Sequence, residues 1–198
     1  MKIKPKEIID EINLLRTNPK AFAEKVKKYI SFFENDILII PETKIKLRTD
    51  EGAKAFEEAV EFLNGLKPLE GIVASKGMTN IAKDFFEKVK ITHPGLLGDI
   101  KIDEIIAKYG EFTGSFRRAM EFGGYNSEHV VVNLVVCDGD KSRSQRNILL
   151  SPGLKMFGVA TGGHPNPKYR TATVIIGCDN FKNLKDADDT ENFENNNK

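Results

Sequence analysis

Two apolar, β-branched runs near the carboxyl end, LKMFGVATGG (154–163) and YRTATVIIGC (169–178), are separated only by a short loop holding Pro165 and Pro167. Runs of this kind read as two paired strands. A sheet built on them needs cover on its faces, and the rest of the chain supplies helical stripes. Ile8, Ile12, Leu15, Phe22, Val26 and Tyr29 recur at helical spacing. Phe56, Val60 and Leu63 form a second stripe, and Met78, Ile81, Ala82, Phe85 and Val89 a third. A further strand is expected near Met120, in a glycine-flanked aromatic segment. The pattern predicts an α+β chain: a mostly antiparallel central sheet with strands near 116–124, 154–162 and 170–178, between two helical layers.

The punctuation refines this outline. Asn18 is placed to cap a helix and Pro19 suits its first turn, so two helices meet at a bend there. ILIIPETKIKLR (37–48) reads as a short edge strand or an ordered loop because of its Pro. Thr49 or Asp50 is expected to start the next helix, which Gly65 stops. Ser75 is a good cap for a helix through Val89. A short helix is expected over Asp103 to Tyr109. Ser127 is read as the cap of a segment holding Val130, Val131, Leu134 and Val135. Propensity alone makes that segment a strand.

The 198 residues suit one domain, taken as 1–182, followed by a polar, acidic tail (183–198) expected to be disordered. Thirty Lys and Arg against 29 Asp and Glu give a net charge of +1, which argues against nucleic acid and anionic lipid as partners. No apolar run has the length of a signal peptide or a membrane span. Two cysteines, Cys137 and Cys178, make no disulfide framework. Both thiols are expected to be reduced, and the expected setting is cytoplasmic; a secreted chain whose leader has been removed is the alternative.

The segment DGDKSRSQRNILLSP (138–152), leading into the two strands, resembles the corresponding stretch of the CAP superfamily: cysteine-rich secretory proteins, antigen 5 and pathogenesis-related class-one proteins. Ile12, Asn13, Arg16, Asn18 and Pro19 resemble the opening helix of its bacterial and protist branch. TDEGAKAFEEAVEFLNGLKPL and SKGMTNIAKDFFEKV resemble its second and third blocks. The resemblance spans roughly Lys6 to Phe181. It implies a three-layer α-β-α sandwich and tips the 127–136 segment to helix. It also implies a cleft of two histidines and two acids, often around a divalent cation. His93 matches the first histidine, Glu121 one acid and Asp138 the other. Gln145 stands where many members have the second histidine, in Ser-Arg-Gly-His-Arg. His93 and Glu121 are therefore the residual metal candidates, with zinc expected to bind weakly and Gln145→His expected to strengthen it.

Each position also has a plainer reading. Glu121 suits a salt bridge with Arg117, Arg118 or Arg146. Gln145 suits a hydrogen bond to backbone. His129 and His164 read as surface residues, and Cys137 beside Asp138 gains no field that would lower its pKa. Arg117, Arg118, Lys141, Arg143 and Arg146 could form a basic patch, though an ordinary solvated face is the simpler reading. The chain lacks a Gly-x-Ser-x-Gly, a phosphate loop, a Cys-x-x-Cys and a His-Glu-x-x-His. The expectation is a non-catalytic domain that binds: a protein partner first, within a larger assembly, cytoskeletal or ciliary among the options. A sterol or fatty acid, or a loosely held cation with no dedicated cofactor, are the alternatives. A metal-assisted hydrolase is the runner-up.

Overall fold

The computed structural model describes residues 3–41, 43–92 and 94–184. Helices α1 (Pro5–Thr17) and α2 (Pro19–Ile30) meet at Asn18, whose side chain accepts from the Ala21 N–H. Strands β1 (Phe33–Glu34), β2 (Ile37–Ile40) and β3 (Ile45–Arg48) form a small antiparallel sheet of their own. Then follow α3 (Ala53–Gly65), β4 (Val73–Ala74), α4 (Lys76–Ile91), a 3-10 turn (Pro94–Asp99) and α5 (Ile102–Ile106). The carboxyl half contains β5 (Gly110–Phe122), α6 (Ser127–Val136), α7 (Ser144–Leu149), β6 (Met156–Gly163) and β7 (Thr171–Asn183). The main sheet has the order β4-β6-β7-β5, antiparallel except for the short β4–β6 pair.

Period-two alternation divides the core between the two faces of that sheet. Ala119, Phe157, Val159 and Ile175 join the apolar cluster of α1, α2, α3, α6 and α7. Ala160, Ala172, Val174, Ile176 and Cys178 join the cluster of α4 and α5. The result is a helix–sheet–helix sandwich, as the stripes required. At Gly158 the backbone of α4 comes so close that an added Cβ would lie 2.1 Å from the Met78 carbonyl carbon. Here glycine is needed for close approach of helix and strand.

Several local expectations are corrected. The third helix starts at Ala53, not at Thr49 or Asp50, because Gly52 breaks the backbone at φ +65°. Ser127 lies inside α6; the cap is Asn126, which accepts from the His129 N–H. The 37–48 segment is a hairpin rather than one edge strand or a loop. The short helix ends at Ile106 rather than Tyr109. Asn183, placed in the tail, instead pairs with Gly110, and the Leu184 N–H reaches the Tyr109 carbonyl. The remainder of the expected tail, 185–198, lies outside the described residues. The β-branched run 130–136 is helical because it is buried on nearly every side. Tertiary packing there outweighs the small intrinsic cost of valine in a helix.

One buried charge ties three segments together. Arg16 is 1% exposed. Its guanidinium donates to the carbonyls of Glu70 at 2.9 Å, Leu149 at 2.8 Å, Ser151 at 3.0 Å and Leu154 at 3.3 Å. The planar fork of arginine lets one side chain serve four acceptors from separate loops.

Candidate functional site

The segment 138–152 forms a junction. The Asp138 carboxylate accepts from the backbone N–H groups of Asp50 at 2.7 Å and Glu51 at 2.9 Å. Asp140 accepts from the hydroxyls and N–H groups of Ser142 and Ser144, which holds its pKa below the ordinary carboxylate range. Arg143, in left-handed backbone at φ +51°, forks onto Glu51 at 2.5 and 2.9 Å. Arg146 forks onto Glu58 at 2.7 and 2.6 Å and lies over the Phe62 ring. Paired this way, Arg143 and Arg146 hold α3 to α7 and do not contribute to a basic patch.

Gln145 accepts from the Met120 N–H at 3.0 Å, on the outer edge of β5. It covers an edge donor that would otherwise face solvent, as a backbone-bonding Gln was expected to do.

Glu121 is elsewhere. It points into the core and is 5% exposed. Asn133, from α6, donates to Oε1 at 2.9 Å, and the Gly124 N–H donates to Oε2 at 3.2 Å. Burial pushes this carboxyl up to about 7, against the lowering pull of those two hydrogen bonds. The expected salt bridge is absent: Arg146 is held by Glu58, Arg117 bonds the Phe116 carbonyl, and Arg118 lies over the Phe85 ring. Both carboxyl oxygens of Glu121, a metal candidate of the sequence, are thus engaged within the core.

His129 is also corrected, from the surface to complete burial. It is stacked on Tyr29 (5.7 Å between centroids) and lies tilted against Tyr125 (4.4 Å). Its Nδ1 lies 3.4 Å from the Asn133 amide nitrogen, so Nδ1 is the acceptor and the ring proton is on Nε2. Among the described residues Nε2 has no hydrogen-bond partner. Burial lowers the imidazole pKa to about 3, so the ring is neutral. Asn133 thus bridges two titratable groups, neither anticipated in this role. A signal was available: His129 and Asn133 stand four residues apart on a helix that is apolar from Val130 onward except at Asn133, so they share one face.

Glu121, Thr173 and Thr161 are directly opposite one another across β5, β7 and β6. The two threonine hydroxyls are 3.0 Å apart. This polar row leads from the buried carboxyl to a cavity of about 890 Å³. Gly123, Gly124, Tyr125 and Asn126 line one wall, just ahead of α6. Thr161, Gly163, Arg170 and Thr171 line another, and Ile3 and Ile45 bring apolar surface from the amino terminus and β3.

Of the positions singled out in the sequence, His93 lies outside the described residues. Glu121, Asp138 and Gln145 are not brought together: each is bound to a different part of the chain. Among the described residues no three His, Cys, Asp or Glu side chains form a group that could hold a metal. His164 is half-buried rather than on the surface, edge-on to Phe122 and Tyr169. Cys137 and Cys178 are free and buried, and desolvation raises both thiol pKa values, that of Cys178 to about 12. No helix among the described residues is long and apolar enough to cross a membrane.

No family model and no curated protein matches the sequence. Among solved structures the chain is similar to a cysteine-rich secretory protein from Staphylococcus aureus subsp. aureus Mu50, with a TM-score of 0.35 and 12% identity. The match covers 63% of this chain and only 37% of that protein.

Proposed function

We propose that this chain is a non-catalytic binding domain of the CAP type, acting as an accessory component of a larger intracellular protein assembly. One observation carries the reading. Among the described residues, the groups at the positions of the family's cleft are engaged in holding the fold: Asp138 on the start of the α3 segment, Gln145 on β5, and Glu121 on Asn133. Two buried, unpaired thiols are compatible with a reducing compartment. The test is capture of partners by the tagged chain from its native cell, beside Glu121→Gln and Gln145→Ala. Both variants are expected to retain the same partner. Loss of the partner at unchanged melting temperature would return these residues to the centre of the function.

The cavity favours a second reading, binding of a small molecule. Its volume of about 890 Å³ lies in the range of ligand sites. In both readings zinc is no cofactor: addition of zinc or of a chelator is expected to leave the melting temperature unchanged.

A further inference from the structure

We propose that the cavity beside α6 is a binding site for a compact organic acid, with the carboxylate held by Arg170 and the apolar body against Ile3, Ile45 and Tyr125. This rests on the small-molecule reading above and assigns its chemistry. Among the described residues lining the cavity, Arg170 is the one that carries a charge, and none is Asp or Glu. Its guanidinium is exposed, and among the described residues no carboxylate pairs with it. Most other arginines of this half of the molecule are engaged: Arg143 and Arg146 by glutamates, Arg118 by an aromatic face. An arginine fork matches a carboxylate in two parallel hydrogen bonds.

The backbone presents Arg170 in an uncommon way. It sits in the left-handed region at φ +60°, a conformation that costs an L residue about 1 kcal/mol or more. Two contacts hold it there: the Arg170 N–H donates to the Asn166 carbonyl, and the His164 N–H donates to the Arg170 carbonyl. Strain of this kind at the rim of a cavity is a reasoned pointer to function.

The interior suits a flat or ring-bearing body. Ile3 is buried, Ile45 is half-buried, and Tyr125 is held in tilted ring contact with His129. Gly123 and Gly163 leave the walls without side chains, so a rigid ligand can lie against backbone. Asn126 uses Oδ1 on the His129 N–H, which leaves its amide NH₂ as a further donor. A long flexible chain would gain less here, because ordering each rotor opposes binding.

The experiment is calorimetric titration of the full chain with 2-naphthoate and with its uncharged relative 2-naphthalenemethanol. Naphthoate is expected to bind more tightly. Arg170→Asn keeps the left-handed backbone, which asparagine tolerates. It should weaken naphthoate by about tenfold or more and leave the alcohol unchanged, while Arg170→Lys recovers part of the loss. Gly163→Leu should weaken both compounds; an added Cβ there meets only the Arg170 carbonyl oxygen at 3.9 Å, so the fold should tolerate it. Equal naphthoate affinity in the parent and Arg170→Asn would overturn the anion assignment and leave the small-molecule reading standing. Failure of both compounds to bind at about 1 mM, or indifference of both to Gly163→Leu, would overturn the site itself.

Discussion

Asn133 donates to Glu121 Oε1 at 2.9 Å across the α6–β5 interface, and it does so in the core, where the carboxyl is 5% exposed. The consequence is a protonation equilibrium linked to folding. Glu121 titrates at about 7 in the fold, against its ordinary value of 4.5. Between these values the native state binds more protons at Glu121 than the unfolded chain does, so the Glu121 contribution to stability should fall as pH rises from 4.5 to about 7, then level off. His129 acts oppositely and offsets it where the two windows overlap. Its folded pKa of about 3 lies below the ordinary 6.5, so its contribution should fall as pH drops through that window. Glu121→Gln should remove the loss on the alkaline side, a difference on the order of 3 kcal/mol between acidic and alkaline conditions. Urea unfolding of parent and variant across this range reads it directly; identical pH profiles would show that Glu121 does not titrate in the core.

Arg16→Met should be among the most damaging substitutions available. Four carbonyls from two segments lose a shared donor. The expected loss is on the order of 3 kcal/mol or more, a large part of a domain's stability. Arg16→Lys should rescue little, because an ammonium cannot span the four acceptors. A Lys variant as stable as the parent in urea would show that the charge matters and the fork does not.

Gly158→Ala tests the contact between α4 and β6. A methyl at this position meets the Met78 backbone, which cannot move without lifting α4 from the sheet. A loss of about 3 kcal/mol is expected, with α4 amides exchanging faster. By contrast, Gly65→Ala, where an added Cβ has no neighbour within 4 Å, should be neutral or mildly stabilising.

Cys137 and Cys178 should react slowly with a thiol reagent in the native chain, because both are buried and desolvation favours the thiol over the thiolate. In denaturant without reductant, both should react. A count of zero under those conditions would show a bridge and contradict the free thiols.

The sequence by itself determined the layers of this protein. Near-continuous apolar runs in 154–163 and 169–178, with helical stripes before them, left little choice but a sheet covered on both faces, because apolar surface has to leave water whatever the loop details. It also determined the local caps at Asn18 and Ser75, since each serves backbone groups only a few residues away. Position in space was decided by the tertiary structure. Glu121 was read as salt-bridged because a half-buried carboxylate needs a partner, yet the partner is Asn133, brought by a helix that a β-propensity scale makes a strand. His129 was read as exposed, yet Tyr125, one turn before it, and Tyr29, distant in sequence, close over its ring. The segment 138–152 carried a recognisable pattern, but only the folded chain shows Asp138, Arg143 and Arg146 engaged with α3 and the turn before it, and Gln145 with β5. Such pairings depend on which residues distant in sequence become neighbours, and on burial, which sets the protonation of Glu121 and His129. Periodicity encodes the first layer of that information; contact and solvent exclusion exist only once the layers have closed.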